Sequence, residues 1–239
     1  MQAGTIRAAG CIGKRSDIML RTQLPLNIRL RDTATFDNFY LGQNHLVTTY
    51  LKTEPNRRVY LWGQSGTGKS HVLQAACHQA NLLGNTTVYV PLKQQGLGPD
   101  ILEGLETINL VCIDDIDAIA GQSAWEEALF HFYNKTQQQF LIAGNSIPDG
   151  LDLKLPDLIS RLNACVRFQL VALNDDEKRS ALQQRAKARG LILSKEVGDF
   201  LLHHYSRDMP TLFTMLERLD QASLVAKRKL TIPFIKTVL

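Results

Sequence analysis

The chain contains the glycine-rich octapeptide Gly63-Gln64-Ser65-Gly66-Thr67-Gly68-Lys69-Ser70. It fits the pattern GxxxxGK followed by Ser or Thr, and it joins a strand-like run, Val59 to Trp62, to a helix-like run, Ser70 to Asn81. Glycines let the backbone curl so that successive N–H groups face an anion, at which the following helix also directs the positive end of its dipole. The octapeptide is therefore predicted to be a phosphate-binding loop; the alternative is a chance Gly/Ser turn that contains a lysine.

The last two residues of this loop suit the phosphates of a nucleotide and the metal ion that accompanies them. Lys69 is predicted to neutralise the β- and γ-phosphates of ADP or ATP. Ser70 is predicted to ligate Mg²⁺ through its hydroxyl. The remaining residues would contact the phosphates through their backbone N–H groups: Gly63, Gln64, Ser65, Gly66, Thr67 and Gly68.

Two adjacent carboxylates, Asp114 and Asp115, follow the apolar run that begins at Leu110. Asp114 would hold Mg²⁺, directly or through water, and Asp115 would orient or deprotonate the attacking water. Acidic residues at the carboxyl end of a strand lie where open α/β sheets bind their ligands. The alternative is that a carboxylate here caps the next helix, which we favour for Asp117 but not for its two neighbours.

Five apolar runs predict strands, and helix-like stretches separate most of them. The alternation indicates an α/β fold in which a parallel sheet is flanked by helices on both faces. The predicted strands are Val59 to Trp62, Thr87 to Leu92, Leu110 to Ile113, Phe140 to Ala143 and Val166 to Leu170.

After Leu173 the pattern is helical only. Asn174 and Glu177 form a predicted capping box, Ser194 is predicted to cap a second helix that continues to Arg207, and Thr231 is predicted to cap a short terminal helix. Four parts result: a disordered tail at 1–22, a short apolar peptide at 23–28, a nucleotide-binding domain at 35–173 and a small all-α domain at 174–239.

Composition adds few constraints on function. The 239 residues are 44% apolar and 21% charged, which is typical of a globular protein. The net charge of +4 permits contact with nucleic acid but does not indicate it. No apolar run approaches the ~18 residues of a membrane span. Four dispersed cysteines form no CxxC pair and are expected to be reduced thiols in a cytoplasmic protein: Cys11, Cys77, Cys112 and Cys165.

The peptide at 23–28 reads Gln-Leu-Pro-Leu-Asn-Ile. Such a peptide can dock in a partner's groove, with Gln23 making hydrogen bonds and the apolar side chains of Leu24, Leu26 and Ile28 filling pockets. Without further information, an extended arm that lies on its own core is the favoured interpretation.

Four motifs between residue 35 and the last residue resemble AAA+ ATPases of the branch that holds the replication initiator DnaA. They are TFDNF at 35–39, GKSH at 68–71, the two aspartates after Ile113, and a polar residue, Asn145, after the fourth strand. The resemblance implies a P-loop NTPase core with a C-terminal lid, in which Asn145 is sensor 1 and helps to place the hydrolytic water. A turn before Pro148 is the alternative role for Asn145.

The segment LPDLISRL at 155–162 resembles the one that presents the arginine finger in this branch. The resemblance implies that Arg161 reaches the γ-phosphate held by a neighbouring protein. A planar and permanently charged guanidinium suits the charge that builds up on phosphoryl oxygens. From the sequence alone, a surface or dipole-pairing role is the alternative.

Within the branch, the chain resembles the Hda family, the regulatory inactivators of DnaA. The shared features are QLPLNI at 23–28, YLWG at 60–63, the LPDLISRL segment and RKLTIPF at 228–234. This implies that the peptide at 23–28 binds the sliding clamp (beta subunit) of DNA polymerase III on DNA. It also implies that the nucleotide-bound core promotes hydrolysis of ATP on DnaA and so prevents re-initiation of replication. Self-association into a homo-oligomer and little direct sequence-specific DNA binding are expected.

The chain departs from the family pattern at two places. Pro210 stands where the family has the sensor 2 arginine, with Arg207 as a displaced substitute, and the peptide reads QLPLNI where QLSLPL is expected. A self-assembling ATPase such as a helicase loader is the alternative function. The adenine is expected near Leu41 to Asn44.

Overall fold

The computed structural model describes residues 34–54 and 58–239. The predicted tail at 1–22, the peptide at 23–28 and Cys11 lie outside the described residues, so those interpretations remain predictions. The other three cysteines are buried free thiols, as expected.

Five parallel strands form one sheet, in the order β2-β3-β4-β1-β5. Each predicted strand is present, with ends that differ by at most one residue from the prediction. Because the strands are parallel, the segments that follow β1, β3 and β4 leave the sheet at one edge. The strands are β1 (Arg58–Trp62), β2 (Thr87–Pro91), β3 (Leu110–Asp114), β4 (Gln139–Gly144) and β5 (Val166–Gln169).

The sheet has a buried hydrophobic cluster on each face, as the predicted α/β class requires. Tyr60 packs into one cluster, and its neighbours Val59 and Leu61 pack into the other, since successive strand side chains point to opposite faces. The described residues of this domain contain four α-helices: α1 (His45–Thr53), α2 (Lys69–Leu82), α3 (Ser123–Lys135) and α4 (Pro156–Asn163). The first two contribute to the cluster with Val59, and the last two contribute to the cluster with Tyr60.

The C-terminal part is an all-α domain with its own apolar cluster. Its helices are α5 (Asp175–Ala188), α6 (Lys195–His204), α7 (Met209–Ala226) and α8 (Ile232–Val238). All three predicted caps are present: the Asn174–Glu177 capping box, and the Ser194 and Thr231 side chains, each of which accepts a backbone N–H.

The expectation that α6 continues to Arg207 is wrong. The helix ends at His204, because Asp208 caps the next helix by accepting from the Thr211 backbone N–H at 3.0 Å. Pro210 then falls in the first turn of α7, where its missing N–H leaves no helical bond unmade.

Hydrogen bonds hold the segment that leads into the helical domain, and another joins α5 to the nucleotide-binding domain. The buried Asn44 side chain donates to the Val171 carbonyl at 3.0 Å and accepts from the Val171 N–H at 2.8 Å. The Gln184 amide of α5 donates to the Asp37 carbonyl at 3.2 Å. Within the described part of the chain, no helix is both long and apolar enough to cross a membrane.

A buried carboxylate, Glu126 in α3, holds three loop amides. Its oxygens accept from the N–H groups of Gly121, Lys154 and Leu155 at 2.7 to 2.8 Å, and the residue is 1% exposed. Hydrogen bonds from backbone N–H groups compensate a carboxylate that burial would otherwise penalise. Glu126 thereby fixes the chain immediately before α4.

We expect Glu126→Ala to lower the free energy of unfolding by on the order of 2–3 kcal/mol, because three N–H groups lose a charged acceptor. Urea unfolding monitored by circular dichroism measures the change. The matched control is Glu127→Ala, since Glu127 is the exposed neighbour in the same helix and should change stability by less than about 0.5 kcal/mol. Equal stability of the two variants would contradict the assignment.

Candidate functional site

The phosphate-loop segment adopts a conformation that only glycine tolerates at two of its positions. Gly63 has φ 153°, and a Cβ there would lie 2.4 Å from the Leu170 carbonyl oxygen. Gly68 has φ 97°, and a Cβ there would lie 2.6 Å from the Phe39 ring. The loop is thus closely packed between β5's end and the TFDNF segment, with α2 starting directly behind it.

The TFDNF segment is fixed against the helix that follows the loop. Thr35 and Asn38 bond reciprocally through side chain and backbone at 3.1 and 3.3 Å, which closes a turn. The His71 Nε2 lies 2.9 Å from the Thr35 carbonyl, and its ring is 5.2 Å from the Phe39 ring. The TFDNF and GKSH motifs, which are far apart in the sequence, therefore pack against each other.

The Lys69 ammonium lies at the centre of the site. It donates to the carbonyls of Gly63 at 2.7 Å and Gln64 at 3.0 Å, and to Asn145 Oδ1 at 3.2 Å. Burial lowers the pKa of Lys69, and the nearby carboxylates, Asp114 first, oppose that shift. The lysine therefore connects the loop after β1 with the residue that follows β4.

Asp114 is 1% exposed at the end of β3. Its Oδ2 accepts from the Tyr89 hydroxyl at 2.6 Å, and its side chain is also hydrogen-bonded to Ser70. Burial raises the pKa of Asp114, whereas the bonds from Ser70 and Tyr89 lower it. A hydroxyl and a carboxylate in contact are the hard oxygen donors that Mg²⁺ takes, so the predicted pair fits the ion.

Asp115 has left-handed backbone angles, φ 57° and ψ 50°, that few residues other than glycine adopt. Its carboxylate pairs with the Lys93 ammonium at 2.8 Å, and Lys93 also lies 3.8 Å from Asp117 Oδ2. The bond to Asp115 raises the pKa of Lys93. In this arrangement the carboxylate predicted to activate water is bound to a cation.

The expectation that Asp117 caps a helix is wrong. Its two oxygens accept from the backbone N–H of Asn145 at 3.2 Å and from the Asn145 side chain at 2.9 Å. Asn145 in turn accepts from Lys69, so its amide is oriented by both neighbours. The structure brings together Lys69, Ser70, Asp114, Asp115 and Asn145 at one edge of the sheet.

Arg161 lies away from this group, in the last turn of α4. It is exposed, and its guanidinium carbon is 5.8 Å from the centre of the Tyr133 ring. Arg58, the first residue of β1, lies over the same ring at 4.4 Å. Arg161 is therefore near the start of β1, whereas the phosphate loop follows the end of β1.

A carboxylate of the helical domain lies beside the phosphate loop. A Cβ on Gly66 would lie 3.3 Å from Asp208 Oδ1, so Asp208 stands beside the loop. Arg207, the proposed substitute for sensor 2, is exposed and lies 3.8 Å from Asp175 Oδ2 instead. In the segment expected near the adenine, the Asn44 side chain is hydrogen-bonded to the Val171 backbone.

Sequence reasoning missed three side chains that touch this site: Tyr89, Lys93 and Asp208. Pro91 of β2 pairs with Asp114 of β3 in the sheet register, so the residues that follow Pro91 lie beside the carboxylates. Had the sequence shown that β2 lies next to β3, it would have predicted that Lys93 contacts the carboxylates. Neither composition nor motif spacing reveals the strand order. No sequence signal indicated Asp208.

Solved structures share this fold over most of the chain. Domain III of the Thermotoga maritima replication initiation protein DnaA is 18% identical, with 88% of this chain and 97% of that one covered and a TM-score of 0.73. AMPPCP-bound DnaA from Aquifex aeolicus is 22% identical, with 81% and 67% covered and a TM-score of 0.67. The Thermotoga maritima RuvB Holliday junction branch migration motor is 14% identical, with 88% and 72% covered and a TM-score of 0.64.

Family comparisons divide the chain at the boundary between its two domains. Residues 30–169 match the bacterial DnaA ATPase domain, which is more than half of the chain. Residues 175–239 match the lid domain of Hda. The resemblances found in the sequence are thereby confirmed: the chain belongs to the Hda family of DnaA-related AAA+ proteins.

Proposed function

We propose that the chain is a nucleotide-bound regulator that binds the sliding clamp on DNA and stimulates hydrolysis of the ATP held by DnaA. Its output is the conversion of DnaA to a state that does not re-initiate chromosome replication. The Hda-type lid and the DnaA-type core support a DnaA-related regulator. Binding to the clamp and stimulation of ATP hydrolysis on DnaA are the parts of this function that we propose.

The arrangement of charges around Lys69 supports nucleotide holding. The similarly folded DnaA of Aquifex aeolicus binds the nucleotide analogue AMPPCP. In this chain, the ammonium of Lys69 would exchange its bonds to loop carbonyls for phosphate oxygens, and the N–H groups of Gly66 to Ser70 would bind the same anion. Ser70 and Asp114 would hold Mg²⁺, which supplies positive charge to the phosphates when bound.

The carboxylate network supports a chain that retains nucleotide rather than turning it over quickly. Asp115 is paired with Lys93 at 2.8 Å, so its carboxylate would have to leave this cation before it could orient or deprotonate an attacking water. The lid carries no arginine at position 210, and the lid carboxylate of Asp208 lies beside the loop at Gly66. We infer that the nucleotide mainly sets the shape of the protein.

The position of Arg161 is the observation that carries the proposed activity. The residue is exposed at the opposite end of β1 from its own phosphate loop, which supports a role at a nucleotide on another molecule. Among residues 34–54 and 58–239, no carboxylate is within ion-pair distance of it. An arginine supplied in trans can accelerate phosphoryl transfer by ~10³ to 10⁵.

We expect Arg161→Ala to abolish stimulation of DnaA ATPase while leaving this protein's own nucleotide affinity unchanged. The measurement is phosphate release from DnaA in a reconstituted reaction with purified clamp-loaded DNA. Arg167→Ala is the matched control, because Arg167 is an exposed arginine on the adjacent β5. Stimulation by Arg161→Ala at the wild-type level would reject the finger, and a helicase loader would stimulate DnaA ATPase in neither form.

We expect Gln23→Ala to remove binding to the isolated clamp, because the glutamine amide supplies the hydrogen bonds that the apolar side chains cannot make. Surface plasmon resonance with immobilised clamp gives the dissociation constant. Gln2→Ala is the control, since Gln2 lies in the same N-terminal region but outside the peptide. Clamp binding by Gln23→Ala at wild-type affinity would exclude the peptide as the ligand.

We expect Lys69→Ala and Asp115→Asn to have different effects. The first removes the charge that meets the phosphates, so nucleotide binding and regulation of DnaA should both fall at least ~10-fold. The second removes the base but leaves the loop intact, so regulation should change less than ~2-fold. Fluorescent ADP titration and the reconstituted ATPase reaction measure the two quantities. Equal losses of regulation would show that hydrolysis by this chain is required.

A further inference from the structure

Arg161 is exposed, yet its backbone is firmly anchored. Leu158 and Leu162, on the same helix, are both completely buried. The Arg161 carbonyl accepts from the Ala164 N–H at 3.2 Å and from the Cys165 thiol at 3.6 Å. These contacts fix the position of the Arg161 α-carbon. The conformational freedom that remains is that of the long side chain, which can adopt several rotamers.

Tyr133 of α3 limits that freedom. Its ring centre lies 5.8 Å from the Arg161 guanidinium carbon, within the range of a cation–π contact. The ring is itself held: it is 5% exposed and meets the Phe140 ring edge-on at 5.3 Å. A rigid aromatic surface beside the last turn of α4 thus favours a subset of arginine rotamers.

A second arginine uses the same ring in a different way. Arg58 lies at 4.4 Å from the ring centre, and its Nη2 donates to the Thr136 carbonyl at 2.7 Å. Arg58 is therefore tied to the protein, whereas Arg161 has only the ring as a described side-chain contact. Two cations at one ring leave positive charge at this surface, and an incoming phosphate would neutralise it.

We propose that Tyr133 is the positioning residue for Arg161: its ring holds the guanidinium in the orientation from which it reaches a phosphate bound by DnaA. The inference rests on the proposed function, because it assigns a role to Tyr133 only through Arg161. Tyr133 is assigned no nucleotide contact and acts through Arg161. Its contribution is to restrict the arginine before the partner arrives, so that less conformational freedom is lost in the transition state.

The test compares three variants in the reconstituted DnaA ATPase reaction. Tyr133→Leu should lower the maximal stimulated rate at least ~3-fold, with an unchanged half-maximal concentration, since the contact orients Arg161 without adding affinity. Tyr133→Phe keeps the ring and should retain wild-type stimulation. Phe132→Leu is the matched control for packing, because Phe132 is equally buried and meets Phe140 at 5.8 Å, with no described contact to Arg161. It should also retain stimulation.

A second measurement reports the contact without DnaA. Arg161→Ala should lower the urea midpoint of the wild-type protein but not that of Tyr133→Leu, because the ring is then already absent. Identical shifts in both backgrounds would overturn the contact. Full stimulation by Tyr133→Leu, with Arg161→Ala inactive, would overturn the positioning role and leave the proposed function intact. Full stimulation by Arg161→Ala would overturn the proposed function, whatever the urea midpoints show.

Discussion

The parallel register of β1, β3 and β4 is the constraint on which the candidate site depends. Because β4 lies between the other two and all three run in the same direction, the loop after β1 and the aspartates after β3 flank Asn145. Lys69 then spans the gap by bonding to the loop and to Asn145. A strand in the opposite direction would carry its polar end to the other edge of the sheet, and these groups could not meet.

The residues at this edge compensate one another's charge. Two lysines, Lys69 and Lys93, are interleaved with three carboxylates, of which Asp114 is nearly inaccessible to water. Hydrogen bonds link these charges as well, because Asn145 accepts from Lys69 and donates to Asp117. A polyanion that engages the Lys69 ammonium would have to compete with its hydrogen bonds to the loop carbonyls and to Asn145.

Much of the fold was predictable because its signals are local. Apolar runs gave the strands, and the caps at Asn174, Ser194 and Thr231 each depend on residues three apart. The missed features depend on tertiary structure. Lys93 meets Asp115 only because β2 is the neighbour of β3, and Tyr133 meets Arg161 only because α3 packs on α4. The end of α6 was misplaced because Asp208 was not recognised as the cap of α7.

The segment that leads into the helical domain is held by a contact that responds little to dissolved salt. Asn44 holds Val171 through two hydrogen bonds between uncharged groups, and the residue is buried. Dissolved ions screen exposed charges such as the Arg207–Asp175 pair, but they have little effect on a buried amide. The contact between Asn44 and Val171 should thus keep the same strength in dilute buffer and in concentrated salt, while the surface contacts around it weaken as ionic strength rises.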